Sequence, residues 1–385
     1  MRSISSIPCG PTHECPWLKQ RSNETPALDP ARLGRKFGHR LNPNNRHHVR
    51  GRPRRFRRRA RLCGAGLAPQ MMHNCPPPLP LLARWLRCAA HINGNYGHIL
   101  FEQAAPIDAA LIDGLRPYFE SAHLDAREVF HRAARIDLHP DANGPGGNAQ
   151  YPNCLPPTAK KGLFGEVIAG LMAEAYQLVG GHRWSIPIFL FRYHAEVEAY
   201  IFDLARDPAR VREVSGRHGN DFIALGIDPA TGEVVRFIAG EAKWRAKLTL
   251  ATMDELMLGE WTGPEGARVR KGGGIWNEMN TGLTAPQGLE QINKLLCEKA
   301  RDQYVETIVS LDRALLIGAA PLPRTDYVFI AGNKAARRLP GTPYLPTGAP
   351  PPEYSAGRPL QVVELVVEGG VDLIERLYAS LWGAR

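Results

Sequence analysis

The chain lacks the features of several common protein classes. Its seven cysteines are an odd number without a C-x-x-C pair, which argues against a disulfide framework and against a zinc ribbon. No apolar run reaches the roughly 18 residues that span a bilayer, so no transmembrane helix is expected. The N-terminus has no apolar segment of the kind found in secretory signals, and the expected location is therefore the cytoplasm.

The motifs of three large enzyme classes are also missing. The sequence contains no G-x-x-x-x-G-K-[ST] loop, no G-x-G-x-x-G after a predicted strand and no G-x-S-x-G turn. ATPases, dinucleotide-dependent enzymes and serine hydrolases are therefore disfavoured.

Positive charge is concentrated at one end of the chain. The net charge is +10, but residues 1–70 carry 16 Lys and Arg against 3 acids, and the remaining residues carry 32 against 35. The N-terminal segment is thus +13 and the rest is −3. The overall basic charge says little about whether the folded part binds nucleic acid.

Residues 1–80 form a tail rich in Pro and Arg, and its composition predicts disorder because it can bury little apolar surface. Two interpretations are open. As part of the protein, the tail would be a basic arm that contacts nucleic-acid phosphates. Alternatively, translation begins at Met71 or Met72, and this second interpretation is the one we favour.

Helical and strand patterns begin near residue 81. We expect a small α/β accessory region over residues 81–155. Residues 156–385 should form a larger α/β domain with a mixed central sheet flanked by helices. Its clearest helical patterns run over Gly165–Val179 and Leu289–Ile308, and residues 259–287 look like a loop. Other predicted elements are strands over Ser185–Tyr193, Tyr327–Ala331 and Gln361–Val367 and helices over Glu196–Ala205, Lys247–Leu258 and Val371–Leu381.

Two apolar strands joined by a tight turn form the most informative segment. The first strand begins after Asp221, and the second ends with Glu241 and Lys243, whose alternate positions put both side chains on one face. Turn signals over residues 228–233 predict a hairpin in which paired residue numbers sum to about 461. Asp221 then lies opposite Gly240 or Glu241, so two carboxylates and a lysine should meet.

This combination of side chains suits a hard divalent cation. Mg²⁺ or Mn²⁺ prefers oxygen ligands, and Mg²⁺ is commonly held by one or two carboxylates together with substrate phosphate. Asp221 and Glu241 would be the metal ligands, with the Ala242 carbonyl as a further oxygen. Lys243 could orient a water molecule and stabilise negative charge on a phosphate. Phosphodiester hydrolysis is a reaction that uses all of these groups.

Asp221, followed by Glu241-Ala242-Lys243 on the next strand, resembles the signature of the PD-(D/E)xK nuclease superfamily. The resemblance covers roughly residues 163–331 and implies a restriction-endonuclease-like core of helix, three-stranded meander, helix and strand. It implies Mg²⁺-dependent DNA cleavage with Lys243 as the catalytic lysine. Glu166 is the positional match to a helix glutamate that joins the site in many members, whereas the family's proline is replaced by Asn220.

Three short segments together resemble the nuclease-subunit family of the Hachiman antiphage defence system. They are Phe164-Gly-Glu, His218-Gly-Asn-Asp and Gly240-Glu-Ala-Lys. This resemblance implies a separately encoded helicase as partner and a role in antiviral defence against foreign DNA.

Four further residues are candidates for nucleic-acid contact: His218, Trp244, Arg245 and Lys271. A plainer interpretation exists for each, because loop cations and strand-end ion pairs are common on protein surfaces. The alternative function from another class is a non-catalytic subunit that binds nucleic acid or a partner on a nuclease-like fold. The sequence does not determine whether the substrate is DNA or RNA, or whether it is single- or double-stranded. The oligomeric state is also left open.

Overall fold

A computed structural model describes residues 72–134, 151–153, 155–191, 221–263, 269–270, 273–282, 285–316 and 321–383. The predicted helix over Glu196–Ala205 lies outside these residues, as do His218 and Lys271. The predicted tail is described only from Met72, which is buried, and a helix already begins at Leu79.

The described strands are β1 (Leu86–Asn93), β2 (Tyr96–Gln103), β3 (Trp184–Ser185), β4 (Phe222–Ile227), β5 (Val234–Arg245), β6 (Trp261–Thr262), β7 (Val269–Arg270), β8 (Arg324–Asn333) and β9 (Leu360–Val367). The described helices are α1 (Leu79–Trp85), α2 (Ala109–Ala122), α3 (Leu124–Ala134), α4 (Pro157–Ala175), α5 (Leu250–Leu258), α6 (Ile275–Thr281), α7 (Ala285–Lys299), α8 (Val305–Leu316) and α9 (Gly370–Ser380).

Seven strands form one mixed sheet in the order β1-β2-β9-β8-β5-β4-β3. The four central strands, β2, β9, β8 and β5, pair in parallel, and antiparallel strands extend the sheet on both sides. Helices cover both faces, which explains why β8 and β9 are nearly continuous apolar runs. The predicted α/β class with a mixed, helix-flanked sheet is confirmed.

The expected accessory region contributes to this same sheet. β1 and β2 form a hairpin, and β2 then pairs in parallel with β9 from Tyr96↔Leu360 to Glu102↔Val366. The side chains of this hairpin pack in the same hydrophobic clusters as those of the later strands. Residues 86–103 are therefore one edge of the central sheet.

Helix α4 begins earlier and ends earlier than the predicted Gly165–Val179. Pro157 stands in its first turn, where a missing backbone N–H costs nothing. The helix is buried nearly all round. Gly170 packs so closely on Ile186 and Phe189 that a Cβ at this position would lie only 2.7 Å from either side chain. A helix buried on all sides has no polar face, so apolar periodicity locates its ends poorly.

Three other elements differ from their predicted form. Within the described part of the predicted strand Ser185–Tyr193, only Ser185 pairs with β4, together with Trp184 before it. Pro187 lacks a backbone N–H and interrupts a longer ladder. The predicted single helix Leu289–Ile308 is two helices, α7 and α8, joined by a turn. The predicted loop 259–287 contains the short helix α6 and the start of α7.

The two faces of the sheet are covered by different helices. Helices α2, α4 and α9 pack on one face in the largest hydrophobic cluster. The other face carries two separate clusters, one with α5 and α6 and one with α7 and α8. None of the helices in the described part of the chain is long and apolar enough to cross a membrane.

Candidate active site

The β4–β5 hairpin has the register that the sequence predicts. Phe222 pairs with Gly240 and Ile223 with Ala239, so the paired numbers sum to 462. The Asp221 amide donates to the Gly240 carbonyl at 2.9 Å, which places Asp221 beside Glu241 at the open end of the hairpin.

The connecting turn is held by a side chain within it. The Asp228 carboxylate accepts hydrogen bonds from the Ala230 amide at 2.7 Å and the Thr231 amide at 3.2 Å. Gly232 follows with φ of +75°, a conformation that favours glycine. The turn therefore fixes the register that brings the two distant acids together.

Asp221, Glu241 and Lys243 form one hydrogen-bonded group. Lys243 Nζ lies 3.0 Å from Asp221 Oδ2 and 3.0 Å from Glu241 Oε2. Asp221 Oδ2 also accepts a hydrogen bond from the Ala242 amide at 2.8 Å. Asp221 and Glu241 are 8 % and 3 % exposed, whereas 31 % of the Lys243 side chain is exposed. The lysine is thus the member of the group that reaches solvent.

This charged group interrupts an apolar face of the sheet. In the parallel β5–β8 pair, Glu241 lies beside Val328 and Lys243 beside Ile330. Ala239 precedes Glu241 on the same face and belongs to the cluster under α7 and α8. Because burial of charged groups costs free energy, three ionisable side chains between two apolar clusters need an explanation beyond packing.

The two carboxyl groups have opposite pKa shifts. Burial would raise the pKa of Asp221, but the Lys243 ammonium and the Ala242 amide together hold it below its ordinary value. Burial raises the pKa of Glu241, and the neighbouring Asp221 carboxylate raises it further, to well above the ordinary value in spite of Lys243. In the metal-free site Asp221 therefore carries the negative charge, and Glu241 stays protonated to a higher pH than an ordinary glutamate.

Lys243 keeps its positive charge in this environment. Burial favours the neutral amine, but the Asp221 and Glu241 carboxylates outweigh it and raise the pKa of Lys243 above its ordinary value. A lysine bound in this way is an ammonium donor at neutral pH and is not a general base.

The structure adds Glu278, which sequence analysis missed. It lies on α6 and lines a cleft of about 310 Å³ together with Lys243. Its carboxylate is one of the groups that raise the pKa of Glu241. Burial raises the pKa of Glu278 itself, with Lys243 acting in the opposite direction. No sequence motif marks this residue, because α6 is short and follows a glycine-rich segment.

The cleft has mixed charge. Arg245 lies on the same face of β5 as Lys243, and both line the cleft. Contact of Arg245 with nucleic acid stays a prediction. Glu255 and Glu260 also line it, and Glu255 interacts electrostatically with Arg245. The described walls of the cleft are therefore not a uniformly basic groove.

Glu166 lies on α4, the helix that packs against the opposite face of β5. The preceding Gly165 faces Trp244, where a Cβ would lie 3.7 Å from the Trp244 Cβ. Glu166 is 3 % exposed, and its charge contributes to raising the pKa of Tyr378. The hydrogen bonds described for Asp221 run to Lys243 and the Ala242 amide. Membership of Glu166 in the site therefore stays a prediction.

Trp244, predicted as a contact to nucleic acid, lies in the core of this fold. It is 7 % exposed and packs edge-on against Phe164, with ring centroids 5.2 Å apart. Its neighbour Gly370 leaves no room for a Cβ, which would lie 2.4 Å from the indole. The alternation of strand side chains puts Trp244 on the face opposite Lys243. The indole of Trp276 is also buried, at 3 % exposure.

The donor set fits a hard cation in part. Within the described ranges, no group of three or more His, Cys, Asp and Glu side chains is arranged to hold a metal ion. Two carboxylates do converge on one positive centre, the Lys243 ammonium. Mg²⁺ commonly takes only one or two protein carboxylates and keeps several water ligands, so Asp221 and Glu241 match its needs.

Comparison with known proteins gives no family assignment. No protein-family model matches this chain, and the search of curated proteins found no significant match.

Proposed function

We propose that this protein is a metal-dependent nuclease of the PD-(D/E)xK type that hydrolyses phosphodiester bonds of DNA. One observation carries the proposal. The carboxylates of Asp221 and Glu241, from neighbouring strands, meet at a single cation on an otherwise apolar sheet face. Such a group stabilises the fold less than apolar packing would, which favours a role in chemistry.

The order of elements supports the proposal. Helix α4 is followed by the antiparallel strands β3, β4 and β5, then by helices, and then by β8 parallel to β5. This is the order that the resemblance to restriction-endonuclease-like nucleases implies. The position of the acids on the second and third strands of this meander agrees with it as well.

Asp221 and Glu241 would hold Mg²⁺ or Mn²⁺ through carboxylate oxygens. When bound, the cation lowers the pKa of a coordinated water and neutralises charge on phosphate oxygens. The protein must keep both carboxylates ionised for this purpose, and Glu241 must give up its proton. The rigid β4–β5 hairpin holds the two acids at a fixed separation.

Lys243 and Arg245, near the end of β5, have roles in substrate binding. The Lys243 ammonium donates hydrogen bonds, and at the cleft surface it would orient the attacking water or a non-bridging phosphate oxygen. Arg245, on the same face and exposed, would contact the next phosphate of the strand. Both residues would stabilise charge that develops on phosphate during hydrolysis.

The biological setting that we propose is antiviral defence with a separately encoded helicase. It rests on the three motifs Phe164-Gly-Glu, His218-Gly-Asn-Asp and Gly240-Glu-Ala-Lys. A helicase partner would supply unwound strands to a nuclease whose cleft, in its described walls, has few cations.

A cleavage assay tests the proposed activity. Purified protein is incubated with plasmid and linear DNA with Mg²⁺, with Mn²⁺ and with chelator, beside the variants Glu241→Ala and Lys243→Ala. We expect metal-dependent cleavage by the natural sequence and a loss of at least about 100-fold in each variant. Equal activity in variants and natural protein would refute the assignment of these residues.

A specific observation favours the alternative, a non-catalytic binding subunit. Lys243 bridges both acids, and the described residues contain no third carboxylate or imidazole arranged with them to hold a metal. A non-catalytic subunit would bind DNA or a partner protein without cleavage. It would also show no affinity for Mn²⁺ in calorimetry, and this second measurement separates the two functions even if the cleavage conditions are wrong.

A further inference from the structure

The Lys243 ammonium occupies the position that a cation shared by Asp221 and Glu241 would take. Its Nζ lies 3.0 Å from one oxygen of each carboxylate. A divalent cation that binds these oxygens must therefore displace the ammonium. A displaced and partly buried ammonium needs another acceptor, since an unpaired charge in such a place is costly.

Of the acids described in the cleft walls, Glu278 is the one that suits this purpose, because it interacts electrostatically with Lys243 whereas Glu255 interacts with Arg245. Glu278 and Lys243 line the same cleft of about 310 Å³. Glu278 is exposed and Lys243 is partly exposed, and the flexible four-carbon stem of lysine lets its ammonium move while its Cα stays in β5. The two groups already interact electrostatically across the cleft.

Helix α6, which carries Glu278, is anchored at its C-terminal end. Arg358 Nη2 donates to the Met279 carbonyl at 2.5 Å, and Arg324 Nη1 donates to the Gly282 carbonyl at 3.1 Å. Guanidinium groups at these carbonyls complement the negative end of the helix dipole. Gly282 has φ of +59°, and a Cβ there would lie 2.9 Å from Arg324 Nη1.

The two arginines are themselves fixed by a buried acid. Asp326 is fully buried and accepts from Arg324 Nε at 2.6 Å and from Arg358 Nε at 3.0 Å. The Tyr354 hydroxyl donates to the same carboxylate at 2.7 Å. The cluster of Asp326, Arg324, Arg358 and Tyr354 therefore keeps α6, and with it Glu278, in place beside β5.

We propose that Glu278 is the second partner of Lys243: when a divalent cation binds between Asp221 and Glu241, the Lys243 ammonium moves across the cleft to Glu278. This inference rests on the proposed metal site. It assigns Glu278 a role in metal binding without making it a metal ligand. It also places the lysine, after metal binding, in the cleft where a phosphodiester would lie.

Calorimetric titration of Mn²⁺ into metal-free protein tests the inference without any measurement of cleavage. Glu278→Gln removes the second partner, and we expect it to weaken Mn²⁺ binding by about threefold to tenfold. Glu255→Gln is the matched control, because Glu255 lines the same cleft but interacts with Arg245. It should leave Mn²⁺ affinity within about twofold of the natural protein.

A double-variant cycle tests the dependence on Lys243 directly. In a Lys243→Met background there is no ammonium for the Glu278 carboxylate to bind. Glu278→Gln should therefore no longer weaken Mn²⁺ binding. The comparison of Glu278→Gln with Glu255→Gln needs no change at Lys243, and it stays decisive if Lys243→Met fails to fold.

Each contrary result has one meaning. Natural protein without Mn²⁺ affinity would overturn the proposed function and this inference together. Natural protein that binds Mn²⁺ with the same affinity as Glu278→Gln would overturn the inference alone. Equal losses of Mn²⁺ affinity in Glu278→Gln and Glu255→Gln would also overturn it, as would a loss that persists in the Lys243→Met background. In either case the change in affinity would come from the overall negative charge of the cleft and not from a contact with Lys243.

Discussion

Lys243 determines the charge balance of the candidate site. Two buried carboxyl groups meet at its ammonium, and their pKa values move in opposite directions: the ammonium and the Ala242 amide lower the pKa of Asp221, whereas burial and the Asp221 carboxylate raise the pKa of Glu241. A site of this kind is sensitive to pH and to the loss of any one member. Two predictions follow at the scale of single residues.

The first prediction concerns the pH dependence of metal binding. Glu241 holds a proton to a higher pH than an ordinary glutamate, and a cation needs its ionised form. Mn²⁺ affinity should therefore rise by about tenfold per pH unit until the pH passes the raised pKa of Glu241. Calorimetry in buffers of different ionisation enthalpy should detect close to one proton released per cation.

Glu241→Gln is the matched variant for this measurement, because it imitates the neutral glutamic acid in size and hydrogen bonding. It should fold, lose Mn²⁺ affinity and show no proton release. The natural protein should also lose stability relative to this variant as pH rises above the ordinary glutamate range, since its folded state holds a proton that the unfolded chain releases. Metal binding that does not vary with pH would contradict the assignment of Glu241.

The second prediction concerns folding stability. Lys243→Met leaves Asp221 buried without its counter-charge and should lower the free energy of unfolding by about 1–3 kcal/mol at pH 7. Asp221 has a lowered pKa in the folded state, so its contribution exists above the ordinary aspartate pKa and disappears as pH falls through the lowered value. The difference between variant and natural protein should therefore shrink in acid.

Urea unfolding at pH 7 and near pH 3 measures this difference. Lys247→Met is a suitable control, because Lys247 is exposed and should change stability by less than about 0.5 kcal/mol. Equal stability of the Lys243→Met variant and the natural protein at pH 7 would show that the ion pairs contribute nothing.

The sequence predicts this residue group because alternation and turn chemistry are local. Asp221, Glu241 and Lys243 could be brought together by counting residues from a short turn. The same alternation places Trp244 on the core face. Its position next to Lys243 in the sequence was the reason to predict a contact with nucleic acid. Glu278 comes from a separate helix, and no local pattern connects it with β5.

At the scale of elements, α6 depends on a buried charge cluster. Asp326→Asn would leave the guanidinium groups of Arg324 and Arg358 without their buried counter-charge, and should cost about 3–5 kcal/mol. Hydrogen exchange should then increase in α6 more than in α4, since the arginines cap the C-terminus of α6.

Glu368→Gln provides the control for the Asp326 variant. Glu368 pairs with Lys334 at 3.2 Å on the surface, and the loss of this exposed pair should cost less than about 0.5 kcal/mol. Unchanged exchange rates in α6 of the Asp326→Asn variant would show that the cluster does not hold this helix.

Helices and strands were predicted well where the hydrophobic pattern of one segment determines its form. They were predicted poorly where contacts with other elements determine where a helix or strand begins and ends. β8 and β9 are apolar runs of strand length, and their predicted positions are confirmed. In the segment after Ser185, apolar residues predict a strand, but Pro187 removes a donor that a ladder needs. The break between α7 and α8 has no Gly or Pro to mark it.

At the scale of the whole molecule, the central sheet joins segments from both ends of the described chain. β2 pairs with β9, more than 250 residues later, and no turn or linker predicts such a pairing. Long-range parallel pairing is set by the complete core. For this reason the sequence could assign α/β class and mixed sheet, but it suggested a separate accessory region where the structure has a sheet edge.

The last prediction concerns the N-terminal boundary. Met72 is buried in a hydrophobic cluster, and the His73 amide donates to the Pro187 carbonyl at 2.9 Å. A protein that begins at Met71 keeps these contacts and serves as the reference. A protein that begins at Leu79 should melt at least about 4 °C lower, because it loses these contacts.

DNA binding by the full chain and by the protein that begins at Met71 tests the role of the basic segment. If residues 1–70 contact phosphates, the full chain should show a steeper decrease of affinity with salt than the protein that begins at Met71. Fluorescence anisotropy with a labelled oligonucleotide at several salt concentrations measures the two slopes. Equal slopes would show that the segment does not contribute to binding.

The most direct test of the central claim is an anomalous difference map from crystals soaked in Mn²⁺. Our account predicts one peak about 2.1 Å from carboxylate oxygens of both Asp221 and Glu241, with Lys243 Nζ displaced from its place between them. A map with no peak at these oxygens, and with Lys243 still bridging both acids at saturating Mn²⁺, would contradict it.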